Sequence, residues 1–348
     1  MRCFCGAQVN RSIVPHLKST HAAQWREWTD VFVKLRGLGY PPKRIMRLFR
    51  AGDGNLLFSW TVVDRAIRRT VETGESVYVA PTKKTVSRWE PQTSELQTTT
   101  LWDFPHRGDW AVHIGDYRGN WAPQIPRNLI CRYTHQGDLV VDAFAGGGTT
   151  LIEAWLLGRR SIGLDVSHLS VQTVDARLRE MERLAEGDNR IKLRSDYRPL
   201  MVRASALGIC DVLKLHGGRG GDVSLICAHP PYLDVLRYTV DNPDDLSSIS
   251  DPTEFYARMG LFARAARQVL LPRGVLAVLI GDVRKNHRTV PLGFGTLNSF
   301  LTEGFQVDEI VVKSQHKDRS TEFYINRLGK HFQLAHEYLF ILRKSADI

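Results

Sequence analysis

GDLVVDAFAGGGTTLIEAWLLGRRSIGLDVS, residues 137–167, decides how this chain folds. A short apolar run, Leu139 to Val141, ends in Asp142 and a glycine-rich turn. Thr149 then opens a helix that leads to a second apolar run, Ser161 to Leu164, ending in Asp165. Strand, turn, helix and strand in this order open an α/β sheet of the kind in which a ligand sits at the carboxyl ends of the strands. Gly146, Gly147 and Gly148 let backbone approach a ligand closely. An acid at the end of the second strand is placed to accept hydrogen bonds from ribose hydroxyls. The G-x-G-x-x-G order and a GK[ST] triplet are both absent, so neither a nicotinamide cofactor nor a P-loop triphosphate is favoured.

A second signature follows at VSLICAHPPYLDVLRYT, residues 223–239. An apolar strand, Val223 to Ala228, runs into His229-Pro230-Pro231-Tyr232, where two prolines fix an extended corner that cannot continue in a ladder.

DAFAGGGTT resembles the D-P-F-x-G-x-G-T-T motif of S-adenosylmethionine-dependent DNA amino-methyltransferases, with Ala143 in place of proline as the one departure. The resemblance covers roughly residues 101–345 and implies a Rossmann-like class I methyltransferase sheet with helices on both faces. It implies that S-adenosyl-L-methionine is held by Asp142, Phe144, Ala145, Gly146, Gly148, Thr149 and Thr150, with Asp165 on the ribose. HIGDYRGNWAPQIPRNLICRYT, residues 113–134, resembles the family's upstream cofactor segment, with a helix expected from Pro126 to Tyr133. The corner resembles the family's D/N/S-P-P-Y/F motif. Carried over by position, His229 and the Pro230 carbonyl would accept hydrogen bonds from the target's exocyclic amine, Pro231 would hold the corner, and Tyr232 would stack on the flipped base.

His229 is a departure from that motif. A neutral imidazole accepts one hydrogen bond and a protonated one accepts none, so turnover should fall as pH drops through the His229 pKa. Histidine also leaves the base undecided between cytosine N4 and adenine N6. The chemistry is one of positioning: acceptors orient a poorly nucleophilic amine in line with an activated methyl. A carbon-5 cytosine methyltransferase would need a cysteine nucleophile, typically after proline, and the chain has no Pro-Cys pair.

The later sequence extends the same sheet. A helix is expected over 252–271, a strand ending at Gly281-Asp282, a helix over 292–303, a strand over 305–312 and a final antiparallel strand at HEYLFILRK. The third strand ends at either Arg194-Ser195-Asp196 or Arg203-Ala204-Ser205. Residues 313–333, with Lys313, His316, Lys317, Arg319, Arg327, Lys330 and His331, read as a basic loop that could line a DNA cleft.

With 348 residues the chain has length for about two domains, 43% hydrophobic and 24% charged residues argue for a globular fold, and no run approaches a membrane span. No signal peptide is evident, a cytoplasmic protein is expected, and five scattered cysteines argue against a disulfide framework. The net charge of +10 is uneven: residues 1–105 carry net +7 and the rest net +3, which points to an anionic partner for the first third. Cys3, Cys5, His16 and His21 form C-x-C-x10-H-x4-H, a candidate zinc finger over residues 1–25 with a tighter cysteine knuckle than usual. Residues 26–75 read as three short helices resembling a helix-turn-helix unit, with Lys43, Arg44, Arg47, Arg65, Arg68 and Arg69 as candidate DNA contacts. Residues 76–105 read as a linker or arm, and 106–348 as the methyltransferase domain.

These readings converge on a sequence-specific DNA methyltransferase acting on cytosine N4 or adenine N6. Double-stranded DNA is the expected partner, and a cognate restriction nuclease is a further candidate. An RNA or tRNA base-amine methyltransferase is the alternative within the class. A non-catalytic DNA-binding protein with a relic methyltransferase domain is the alternative outside it.

Overall fold

The computed structural model describes residues 17–344 apart from 18, 39, 41, 51–57, 75–79, 94–95, 217–221, 240–241, 286 and 317–331. Three helices come first: α1 (Ala22–Gly37), α2 (Pro42–Arg47) and α3 (Trp60–Glu72). Phe32, Val33, Ile45, Phe58, Val63 and Ile67 form their shared core, and Phe32, Phe49 and Phe58 meet edge to face. Ser59 caps α3 by accepting from the Val62 N–H at 3.4 Å.

The remainder is built as β1 (Leu101–Trp102), α4 (Gln124–Tyr133), β2 (Leu139–Asp142), α5 (Thr149–Leu156), β3 (Arg160–Asp165), α6 (His168–Glu186), β4 (Leu200–Arg203), α7 (Ile209–Leu215) and β5 (Val223–Ala228). It continues with α8 (Pro252–Val269), β6 (Leu270–Ile280), β7 (Val283–Lys285), β8 (Arg288–Val290), α9 (Leu292–Thr302), β9 (Phe305–Ser314) and β10 (His336–Lys344). Eight strands form one sheet in the order β1-β9-β10-β6-β5-β2-β3-β4, and β7 with β8 makes a separate antiparallel pair. β2, β3, β4, β5 and β6 are parallel, while β10 runs antiparallel to both β6 and β9. β2 and β5 are buried along their whole length, as their Val, Ile and Leu content requires of strands covered by helices on both faces. This is the open, doubly covered α/β sheet of the Rossmann-like methyltransferase type.

The order reverses between β2 and β5, so ligands are expected in the crevice beyond that pair's carboxyl ends. Asp142 pairs with Cys227 there, and the Ala143 N–H donates to the Cys227 carbonyl at 3.0 Å. The glycine turn and the proline corner therefore leave the sheet side by side.

One expectation changes and two that left alternatives open are narrowed. The described residues of 80–105 form an arm held on the domain, since the Trp89 indole donates to Asp188 at 2.8 Å and β1 adds to the sheet edge beside β9. Lys313 belongs to β9 rather than to a loop. The third strand is β4, which ends at Arg203 and so takes the later of the two alternatives. Cys3, Cys5 and His16 lie outside the described residues, as do Lys317, Arg319, Arg327, Lys330 and His331, while His21 stands at the N-cap of α1.

Candidate active site

The turn between β2 and α5 needs a left-handed backbone twice, at Gly146 (φ +51°) and Gly148 (φ +79°). At Gly148 a Cβ would also stand 2.9 Å from Val174 of α6, so both conformation and space require glycine. Asp165 fixes the turn from the end of β3. One carboxylate oxygen accepts the Gly146 N–H at 2.8 Å and the other accepts the Ser167 N–H at 2.9 Å. Burial raises the Asp165 pKa to about 6, against the pull of those two N–H groups and of the Ser170 hydroxyl. Burial likewise takes Asp142 to about 7, although the Thr150 hydroxyl and the Phe144 N–H both donate to it. The Thr149 hydroxyl donates to Asn120 at 2.6 Å, tying the turn to the segment before α4.

Below this turn lies a buried cluster on α5. Glu153 accepts from the Trp110 indole at 2.7 Å and pairs with His113 at 2.6 Å and Arg127 at 3.1 Å. It anchors residues 110–113 and α4 to the helix that carries the turn. Burial lowers the His113 pKa, opposed by Glu153.

Two cavities meet at the corner. One is lined by Phe144, Gly146, Asp165, Ser205, Ala206 and Phe262. The other is lined by Arg107, Trp121, Pro230, Tyr232, Lys313 and Glu337. Tyr117, Tyr238, His229 and Pro231 border both. The first offers a carboxylate at a strand end, apolar walls and a glycine cradle backed by Tyr117, a donor set that fits S-adenosyl-L-methionine. In the second, the His229 ring stacks on Trp121 with centroids 5.7 Å apart, and burial lowers the His229 pKa to about 4. His229 Nε2 lies 3.1 Å from the Tyr232 hydroxyl, which donates to Glu337 at 2.7 Å, and Lys313 donates to the other Glu337 oxygen at 2.7 Å.

The helical region reaches this site through several contacts, among them Asp64 with Arg118 at 3.6 Å. Arg36 pairs with Asp116 at 2.7 Å; Asp116 also pairs with Arg177, which donates to the Gly147 carbonyl at 2.7 Å. Glu72 accepts from the Ser167 hydroxyl at 2.7 Å and the Leu169 N–H at 3.1 Å. Arg68 lies 5.4 and 5.5 Å from the ring centres of Tyr117 and Tyr238, and pairs with Asp64 at 3.2 Å.

Arg68 is therefore buried and unavailable to phosphate, which corrects its reading as a DNA contact, whereas Lys43, Arg44, Arg47, Arg65 and Arg69 are exposed. Arg177, Tyr238 and the Lys313–Glu337 pair carry no motif. Asp116 and Tyr117 fall inside the segment 113–134 without standing out from it.

Fold and site together define a Rossmann-like α/β domain whose glycine turn and proline corner open at the same end of the sheet. Residues 41–174 match the N6_N4_Mtase family, described as DNA methylase; the matched stretch ends before the His229 corner. Among curated relatives, the type II methyltransferase M.MjaII of Methanocaldococcus jannaschii is 33% identical over 72 residues, which is 20% of this chain and 14% of that protein. The type II methyltransferase M.MthZI of Methanothermobacter thermautotrophicus is 37% identical over 62 residues, 18% of each chain. The aligned stretches thus span less than a fifth of the length of either relative. Among solved structures, TrmN from Thermus thermophilus is 21% identical over 66% of this chain and 50% of its own, with a TM-score of 0.41. No helix among the described residues is long and apolar enough to cross a membrane.

Proposed function

We propose that this protein transfers a methyl group from S-adenosyl-L-methionine to the exocyclic amine of a flipped base in double-stranded DNA, cytosine N4 or adenine N6. One observation carries the reading. The glycine turn and the His-Pro-Pro-Tyr corner leave paired strands at the reversal of the sheet, and their two cavities meet at His229 and Pro231.

When bound, the cofactor supplies a sulfonium methyl already activated for transfer. Asp165 accepts the ribose hydroxyls, Phe144, Ala145, Gly146 and Gly148 cradle the cofactor, and Asp142, Thr149 and Thr150 brace the turn. His229 and the Pro230 carbonyl accept the target amine while Tyr232 stacks on the base. Because burial lowers the His229 pKa to about 4, the ring is neutral near pH 7 and retains an acceptor nitrogen. Turnover at saturating cofactor should therefore hold on acidification until the pH nears 4. Cys227 is buried in β5 with its thiol pKa pushed up by burial, unsuited to a nucleophile's role, so positioning supplies the acceleration.

Residues 26–75 bring the DNA, with Lys43, Arg44, Arg47, Arg65 and Arg69 on phosphates, and residues 106–348 carry the chemistry. The names of the two relatives make a cognate restriction nuclease the natural companion. Methyl transfer from labelled cofactor to duplex DNA, single-stranded DNA and tRNA tests the reading. Label on DNA supports it, and label on RNA alone overturns it. Nucleoside analysis of the product then names the base.

A further inference from the structure

Histidine brings a difficulty that asparagine or serine would not. An amide or hydroxyl presents its acceptor oxygen at one place, whereas a neutral imidazole carries its proton on either nitrogen and accepts only at the other. We propose that Lys313, Glu337 and Tyr232 form a positioning relay that fixes the His229 tautomer, leaving Nδ1 as the nitrogen that accepts the target amine. The amine part rests on the function proposed above; the tautomer part stands on geometry alone.

A single chain of hydrogen bonds sets the tautomer. Lys313 and Glu337 are directly opposed across β9 and β10, and the Lys313 ammonium donates to Glu337 Oε2 at 2.7 Å. Burial works to raise the Glu337 pKa, but Lys313, His229 and the Tyr232 hydroxyl outweigh it, and the carboxyl is held below its ordinary range. Glu337 is thus an ionised acceptor. Tyr232 gives its single proton to Glu337 Oε1 at 2.7 Å, and burial pushes the phenol pKa well up, so that proton stays. The Tyr232 oxygen can then only accept from His229 Nε2, 3.1 Å away. Nε2 must carry the hydrogen, and a neutral ring has just one. Trp121, stacked on the ring face, offers no competing acceptor.

Gly281 completes the arrangement. A Cβ there would stand 3.2 Å from both the Glu337 side chain and the Tyr232 ring, so glycine at the end of β6 lets the phenol reach the carboxylate. The charged groups acting on His229 are Glu337, which favours the imidazolium, and Lys313, which opposes it. With those two charges paired, the ring stays neutral while the phenol sets its orientation.

Tyr232→Phe tests the relay, because it keeps the ring and removes only the oxygen. Nitrogen-15 NMR of the histidine ring in the full chain, without substrate, should show Nδ1 bare and Nε2 protonated from pH 8 to pH 5. In the variant the two tautomers should mix. Methyl transfer to duplex DNA should fall about five- to tenfold in kcat in Tyr232→Phe, the loss of one oriented hydrogen bond, with KM for DNA changed less than about twofold. In a His229→Asn background, where no tautomer needs fixing, the same substitution should cost less than about twofold. A protonated Nδ1 in the parent protein overturns the relay, as does an equal loss from Tyr232→Phe in both backgrounds. The expected nitrogen signals with no methyl transfer to DNA would uphold the relay and overturn the proposed function.

Discussion

Acidification should weaken cofactor binding through Asp165. Burial raises its pKa to about 6, and both oxygens already serve the backbone of the turn, accepting from Gly146 and Ser167. Ribose hydroxyls donate to the ionised carboxylate, so a ligand that takes only that form loses affinity as the group protonates. Linkage makes the loss a factor of about two at pH 6 and about eleven at pH 5, or about 1.4 kcal/mol at the lower pH. Protonation removes a buried charge from the empty site, so the loss is not an acid unfolding of the turn: a carboxyl raised above its unfolded pKa adds stability as the pH falls. S-adenosyl-L-homocysteine is the suitable probe, since it keeps the ribose and lacks the sulfonium charge. Titration calorimetry between pH 5 and 7.5, in two buffers of different ionisation enthalpy, should also detect about 0.9 proton released per site at pH 5 and almost none at pH 7.5. Asp142, at about 7, is the other titrating group; Asp142→Asn removes its contribution and should leave the slope in place. Asp165→Asn should abolish the slope. It should also weaken binding at neutral pH about tenfold, because one amide oxygen cannot serve both N–H groups and the ribose. Equal affinity at pH 5 and 7.5, or a slope that survives Asp165→Asn, would exclude Asp165 as the ionised ribose acceptor.

Removing Lys43, Arg44, Arg47, Arg65 or Arg69 should each lower the slope of log binding constant against log salt by about 0.9 for every phosphate left unneutralised, measured by fluorescence anisotropy on duplex DNA. Arg68→Ala should leave that slope unchanged and instead destabilise the fold by about 2–4 kcal/mol in chemical denaturation, because a buried guanidinium is removed from Asp64 and two tyrosine rings. Glu153→Gln should cost about 3–5 kcal/mol in the same assay, since His113, Arg127 and Trp110 share that one buried carboxylate. Glu72→Ala leaves the Ser167 hydroxyl and the Leu169 N–H without their acceptor, and should weaken S-adenosyl-L-homocysteine binding several-fold by calorimetry with the DNA salt slope intact.

The parts of the fold that are legible in the sequence are those where one short stretch suffices. β2, β3 and β5 are apolar runs closed by Asp142, Asp165 and His229, and the glycine turn needs no partner to be read. β4 has no single reading in the sequence because only Met201 of its four residues is buried and the exposed Arg203 ends it. β1 is two residues long and exists because β9 offers it an edge. Charge density and periodicity disagree at Arg68. Charge density groups it with Arg65 and Arg69, but α3 turns Val63, Ala66, Ile67, Thr70 and Val71 inward, and Arg68 falls on that side with Asp64 one turn before it. The Lys313–Glu337 pair is out of reach for another reason: it depends on the register of two antiparallel strands whose residues lie 24 apart in sequence.

The basic first third is more than a tether for the catalytic sheet. Among its described cations, Arg36 and Arg68 are buried within the protein, while Arg26 and Lys34 of α1, the cations of α2 and the Arg65–Arg69 face of α3 point outward. Both inward arginines, with Glu72, end on groups that shape the cofactor cavity. Arg36 reaches the Gly147 carbonyl through Asp116 and Arg177, Arg68 rests on Tyr117 and Tyr238, and Glu72 holds the start of α6 just beyond Asp165. A load placed on the outer face of α3 by a polyanion bears on the same helix that carries Arg68 and Glu72. If that contact orders the turn, DNA and cofactor each raise the other's affinity, and thermodynamic linkage requires the two factors to be equal.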